Sequence, residues 1–342
     1  MKYSRLLALA LLALGTVPLR AADRPNVLFV AVDDLRPEFG AYGANYVKSP
    51  NLDRLAKAGV TFHRAYCQQA VCSPTRSSLL TGTRPDTTKV WDLVTHFRTA
   101  LPDVVTLPQH FKNNGYFVQG MGKIYHGGFD DAPTWSVPWQ SPRAQTYGLP
   151  DNNRYGRPAP DANDGKSGSK KKSSDKKLNS RGPAFEGADV PDNTFQDGQV
   201  ADLAIRTLGE LKAKTQPFFL AVGFYRPHTP YVAPKKYFDL YPLEKIDIPS
   251  LPAGYEKTVP AGALSATKPW PNFGTTVEQA RRSKQAYYAA ISFVDAQIGR
   301  VHIHLDVLVH FRIDEHAGKR GVTACRRIEG RLAHQPVHAD FG

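Results

Sequence analysis

The chain predicts an α/β fold built on a mostly parallel sheet, and three observations predict it. Two continuous apolar runs, at residues 26–32 and 217–224, have the length and composition of strands covered on both faces. Two longer stretches carry apolar residues at helical spacing: Val200, Leu203, Ala204, Leu208 and Leu211, then, within a helix over 278–301, Tyr287, Ala290, Ile291, Val294 and Ile298. Both apolar runs end in short polar turns, where open α/β sheets bind their ligands. A chain of 342 residues can bury a core of that size in one large domain or two smaller ones.

Taken in order, the chain begins with Lys2 and Arg5, an apolar run from Leu6 to Leu14 and small residues at Ala21 and Ala22. This reads as an export signal over residues 1–22, too short for a stable membrane anchor, so a periplasmic or secreted mature protein is expected. The first strand follows, read as a buried central strand of the parallel sheet, and ends in Asp33-Asp34. Side chains on a strand diverge, so both aspartates reach one cation only if the strand has ended there. A divalent cation would relieve their repulsion, but the pair reads equally as a solvated turn. Residues 51–59 form a short helix, with Leu52, Leu55 and Ala56 on one face and a closing glycine.

The next feature is Cys72-Ser73-Pro74-Thr75-Arg76, running through to Thr81-Gly82. Proline suits a first helical turn, so Cys72 falls at a helix entrance, where free N–H groups favour an anion. Arg76, one turn on, adds a planar fork of donors suited to an oxyanion. From these residues alone, a buried cysteine before an ordinary helix fits as well. A helix over residues 107–113 stops at Gly115, and a strand over 116–119 leads into Gly122-Lys123-Ile124-Tyr125-His126. Lys123 and His126 could face one anionic centre, or be a solvated lysine and a loop histidine. Residues 151–193 shift to Asn, Gly, Ser, Lys and Pro without hydrophobic periodicity, which reads as a surface insertion, basic and disordered at about 160–182. After the strand at 217–224, the prolines of Tyr225-Arg226-Pro227-His228-Thr229-Pro230 pin a turn that presents His228.

The net charge of +13 is partly local, since Lys166–Lys177 holds six lysines against one acid, Asp175. An exported protein with a basic face fits polyanionic glycans better than DNA, although charge alone does not separate the two; no nucleic-acid partner is expected. Three cysteines, Cys67, Cys72 and Cys325, make no disulfide framework.

The spacing C-x-P-x-R-x-x-x-x-T-G from Cys72 to Gly82 resembles the signature of the formylglycine-dependent sulfatases at every fixed position. The Arg-Pro-Asn-x-Leu opening with Asp33-Asp34, the Gly-Lys-x-x-His element at Lys123 and His126, and the segment around His228 resemble the same family over about residues 23–301. Thr83-Arg84-Pro85-Asp86 and Tyr241-Pro242-Leu243-Glu244 resemble its iduronate-2-sulfatase-like members. The resemblance implies an alkaline-phosphatase-like three-layer sandwich, with a mixed, mostly parallel sheet between helices. It also implies hydrolysis of sulfate from a sulfated carbohydrate, several such relatives acting on uronic acids of heparan or dermatan sulfate.

The site residues follow from the same resemblance. Cys72, oxidised to formylglycine by a formylglycine-generating enzyme, is the nucleophile; Asp33, Asp34 and the modified Cys72 hold Ca2+. Arg76 and Lys123 hold the diol and the sulfate, His228 protonates the leaving alcohol, and His126 strips the second hydroxyl. Two alternatives remain: a phosphate or phosphonate monoester hydrolase on the same fold, and an inactive fragment that at best binds glycan.

The resemblance stops near Val301. Residues 302–342 show no Asp-His-Gly metal element and instead carry His302, His304, His310, His316, His334 and His338. The expectation is a frameshifted or truncated end and a sheet incomplete at the C-terminus, with Asp306, His310, Asp314 and His316 not drafted as replacement ligands.

Overall fold

A computed structural model describes residues 24–153, 182–260, 262 and 274–317. The expectations for residues 1–22, for most of the basic insertion and for residues 318–342 lie outside the described residues. Among the described residues, three parallel strands form the main sheet: β1 (Val27–Val32), β2 (Phe117–Gly122) and β4 (Phe218–Phe224), in the order β1-β4-β2. The register runs Val27 to Phe219 through Val32 to Phe224 on one side and Phe117 to Phe218 through Gly122 to Gly223 on the other. Both expected apolar strands therefore exist, but their ranks differ from expectation. Here β4 is the middle strand, buried at every position, while β1 is half-buried and pairs with one neighbour among the described residues. Both runs are equally apolar, and periodicity does not say which of two such strands takes the middle.

Alternation along β4 builds the layers. Phe218, Leu220, Val222 and Phe224 face a core completed by helix α4 (Gln196–Lys212), through Val200, Ala201, Ala204, Leu208 and Leu211, and by helix α5 (Val277–Ala317), through Val294, Ile298 and Val301. On the opposite face, Phe219 and Ala221 pack with Leu80, Val118, Ile124, Tyr125 and Trp135. Helices α2 (Cys72–Thr81) and α3 (Leu107–Asn113) lie on this side, contributing Leu80 and Phe111. Sheet between two helical layers is the three-layer arrangement expected. Helix α1 (Pro50–Ala58) tucks Leu52 and Leu55 against the first core, and Asp295 of α5 accepts the backbone N–H groups of Asn51 and Leu52 at its start.

Two expectations need correction. Residues 182–193 are not a featureless insertion: β3 (Phe185–Ala188) pairs in parallel with β5 (Tyr231–Pro234), and this ribbon packs on α5 through Val232, Ala233, Tyr288, Ala289 and Phe293. A four-residue strand containing a glycine is too short to show a period of two. The helix expected over 278–301 also continues past Val301, its backbone helical to Ala317. No glycine or proline interrupts the chain there until Gly318. No described helix is long and apolar enough to cross a membrane.

Two glycines set the carboxyl edge of the sheet. Gly122 has a left-handed backbone, φ 67°, and a side chain there would strike the Gly223 carbonyl. A side chain at Gly223 would in turn strike the Lys123 backbone, whose N–H donates to the Gly223 carbonyl at 2.9 Å. Bare backbone at both positions lets the turn after β2 close onto the end of β4, which brings Lys123 to the sheet edge.

Candidate active site

The site forms where β1, β4 and β2 end and α2 begins. The Asp33 N–H still donates to the Phe224 carbonyl at 3.1 Å, so Asp33 is held as the last rung of the β1–β4 ladder. Asp34 then takes a left-handed backbone, φ 57°, and the chain leaves the sheet. Its carbonyl accepts the Tyr287 hydroxyl of α5 at 2.8 Å. Cys72 is the first residue of α2, with Pro74 inside the first turn, as the spacing predicts.

Arg76 is buried and ties three elements together. One terminal nitrogen donates to Asp33 Oδ1 at 2.7 Å; the other donates to the Lys123 and Ile124 carbonyls at 2.6 and 2.8 Å. Its Nε is buried without a hydrogen-bond acceptor among the described residues. Lys123 Nζ lies 3.3 Å from the other Asp33 oxygen and 5.8 Å from the centre of the Tyr225 ring. Burial pushes the Asp33 carboxyl up, but the Arg76 and Lys123 charges outweigh it and hold the group below its ordinary value. Cys72 Sγ stands 3.9 Å from Asp33 Oδ2. Burial, and then the Asp33 charge, push its thiol up, against the opposing pull of Lys123 and Arg76. The cysteine in this form is therefore a protonated thiol and not a ready nucleophile.

His228 approaches from the turn after β4. Its Nδ1 is 2.6 Å from the Thr229 carbonyl, which assigns the ring proton to that nitrogen and turns Nε2 toward the cluster. Nε2 lies 3.7 Å from Asp34 Oδ2. Ligand atoms of Asp33, Cys72 and His228 all fall within 4.8 Å of one another, the one such group of metal-binding side chains among the described residues. Of the expected catalytic residues, Cys72, Arg76, Lys123 and His228 thus meet around Asp33. His126 is buried after the Lys123 turn, its ring stacked on Phe129 with centroids 6.1 Å apart. The expected metal ligands divide: Asp33 and Cys72 belong to the trio, and Asp34 touches it through His228.

Sequence reasoning passed over the residues that hold the His228 turn. Asp197, buried in the first turn of α4, accepts the Tyr225 and Arg226 N–H groups at 2.7 and 2.8 Å. Arg226 donates to the carbonyls of His228 and Val232 at 2.8 and 3.2 Å. An acid in a first helical turn reads as an ordinary partner of the helix dipole. Only the fold shows that the Asp197 carboxylate caps a neighbouring turn.

Residues 25–307 match the family model for sulfatases. The chain is 37% identical to iduronate 2-sulfatase of Mus musculus over 311 residues, covering 84% of this chain and 52% of that protein. It is likewise 37% identical over 306 residues to the Homo sapiens iduronate 2-sulfatase, with the same coverage. The chain spans about half the length of these curated relatives. Among solved structures, the phosphonate monoester hydrolase of Agrobacterium radiobacter superposes with a TM-score of 0.60 at 23% identity, over 83% of this chain and 60% of that one. At that identity the likeness concerns the fold alone.

Proposed function

The chain belongs to the sulfatase family, and from that premise we propose that it hydrolyses sulfate esters of a saccharide, of the uronate type its iduronate 2-sulfatase relatives suggest. The observation that carries this reading is the placement of Cys72 at the start of α2, facing Asp33 with Arg76 and Lys123. That is a nucleophile position set among fixed positive charges, as an anionic substrate requires.

Converted to formylglycine by its generating enzyme, Cys72 would supply a hydrate hydroxyl as nucleophile and an aldehyde to which the site returns. Calcium takes six to eight oxygen ligands. Asp33, Asp34 and an oxygen in place of the Cys72 sulfur suit it in kind and would supply part of that shell. Held there, the cation would lower the pKa of the hydroxyl and offset the sulfate charge.

The chain's own residues do the rest. Lys123 Nζ, close to Asp33 and to the Cys72 position, meets the sulfate oxygens. Arg76 has its terminal nitrogens committed to Asp33 and to two carbonyls, so it acts by its charge and through Nε. His228 keeps Nδ1 against the Thr229 carbonyl, so the proton given to the leaving alcohol sits on Nε2, which lies 3.7 Å from Asp34 Oδ2. His126 would accept the proton of the second hydroxyl when sulfate is expelled. Such preorganised groups are each worth about 3 kcal/mol in a transition state. An exported, periplasmic or secreted setting and a sulfated carbohydrate partner complete the reading.

The test is sulfate release from a chromogenic sulfate ester by the protein co-expressed with a formylglycine-generating enzyme. Cys72→Ala should lose release entirely, and full activity in that variant would overturn the assignment. Faster turnover of phosphate or phosphonate esters would favour the monoester hydrolase alternative. Glycan binding without turnover would favour a non-catalytic role.

A further inference from the structure

The sulfatase reading uses Cys72 only after its sulfur has been lost, yet the translated chain carries the thiol. Three donors of different kinds meet in that form: the Asp33 carboxylate, the Cys72 sulfur and a His228 ring nitrogen. Thiolate and imidazole are ligands of zinc and its neighbours, whereas calcium selects oxygen. Tetrahedral zinc, with bonds of about 2.0–2.3 Å, sets its donor atoms roughly 3.4–3.6 Å apart. The Cys72 sulfur is already 3.9 Å from Asp33 Oδ2, and no pair in the trio exceeds 4.8 Å. The largest closure needed is therefore at most about 1.4 Å against that tetrahedral spacing.

The surroundings favour that closure. Arg76 anchors Asp33 through Oδ1, leaving Oδ2, the oxygen nearer the sulfur, to turn toward a metal. The contact Lys123 makes with Oδ2 is the longer one, at 3.3 Å. His228 lies in a surface turn with its side chain 35% exposed, so its ring has room to shift. The Thr229 carbonyl already holds Nδ1, the outer partner that metal-ligating histidines use to fix the ring with Nε2 as the ligand. Asp34, 3.7 Å from Nε2, stands beside the fourth position, which it or a water can fill.

We propose that the protein with Cys72 as a thiol binds one zinc ion through Asp33, Cys72 and His228. Binding releases the thiol proton to solvent, so the ion meets two anionic ligands, the Asp33 carboxylate and the new Cys72 thiolate. Conversion of Cys72 removes the soft donor, so the same pocket passes from a zinc-selecting to an oxygen-selecting ligand set. This holds independently of ester hydrolysis: the thiol form can bind zinc whether or not the converted form turns over any sulfate.

The experiment uses the full chain made without a generating enzyme, its intact thiol verified by mass. Titrated against a chromogenic zinc chelator, it should bind one equivalent. Cys72→Ser and His228→Ala should each weaken that binding more than about tenfold, the loss that even an outer partner of a metal ligand produces. Cys67→Ser should change nothing. With Co2+ in place of zinc, a thiolate-to-cobalt charge-transfer band should appear and vanish in Cys72→Ser, with the metal-free melting midpoint checking that this variant is folded. Should Cys72→Ser fail to fold, the band of the unaltered chain and its response to His228→Ala carry the test. Absence of the band, or zinc binding that survives both substitutions, overturns the proposal.

Discussion

Asp33 and Asp34 are neighbours in sequence and live under opposite conditions. Asp33 is 5% exposed and shared between Arg76 and Lys123. Asp34 is 53% exposed, and its carboxylate lies 3.7 Å from His228 Nε2. One left-handed residue at the end of β1 makes the difference, since it sends the second side chain out of the sheet edge. Asp33 is thus a fixed structural charge that also faces the Cys72 sulfur, while Asp34 is exposed to whatever enters. A run of two aspartates does not carry that division, although it decides what each substitution will do.

The largest effect is expected at Asp33. Asp33→Asn keeps the shape but leaves Arg76 and Lys123 buried without their counter-charge, and breaking a buried ion pair costs about 3–5 kcal/mol. Urea unfolding should show a lowered midpoint with an unchanged slope. Adding Lys123→Met to that variant should restore part of the loss, because one stranded charge is removed with its partner. A midpoint that does not move would mean the cluster is not the anchor its geometry indicates.

Next comes Asp197, which acts on the site only by holding the turn that carries His228. Asp197→Asn keeps one acceptor and sets an NH2 group against a backbone N–H, a buried mismatch of about 1–3 kcal/mol. If the turn positions the proton donor, turnover of esters with poorly acidic leaving alcohols should fall about five- to 150-fold, as that free-energy range implies. Esters of acidic phenols, which leave without a proton, should be spared. Equal losses on both substrates would reduce Asp197 to a general stabiliser.

Acid should separate the two aspartates more gently. Asp33 has a folded-state value below its unfolded one, so its contribution is complete above about pH 4, the ordinary carboxyl value, and is lost as pH falls through the folded value. Stability measured down this limb should decline more steeply in the unaltered chain than in Asp33→Asn. Parallel limbs would show that Asp33 titrates alike in both states.

How much of this was legible follows from what each feature depends on. The entrance of α2 was legible because Pro74 and the glycine after Thr81 are local signals. Strand β4 and helices α3 and α4 were legible because period and length are local too. The rank of β1 against β4 was not, since pairing partners lie far away in sequence. Strand β3 was too short to carry a period. At the site, the individual groups at 33, 72, 76, 123 and 228 were legible through the family resemblance. That Arg76 gives its terminal nitrogens to Asp33 and two carbonyls depends on the close approach of β2 and β4 at Gly122 and Gly223, which no local pattern encodes. Asp197 escaped for the same reason.

The smallest stability effect belongs to Asp34. An exposed ion pair is worth about 0–1 kcal/mol, and Asp34 meets His228 at a distance where solvent competes. Asp34→Asn should therefore leave the urea midpoint within that margin of the unaltered chain, and high salt should erase what difference remains. If the side chain holds a cation in the converted protein, the same variant should nonetheless need more calcium to reach half-maximal sulfate release. Loss of calcium response without loss of stability would place the role of Asp34 in ligand binding. A midpoint that fell as far as that of Asp33→Asn would instead mean that the exposed aspartate is clamped like its neighbour, and the division between them would be wrong.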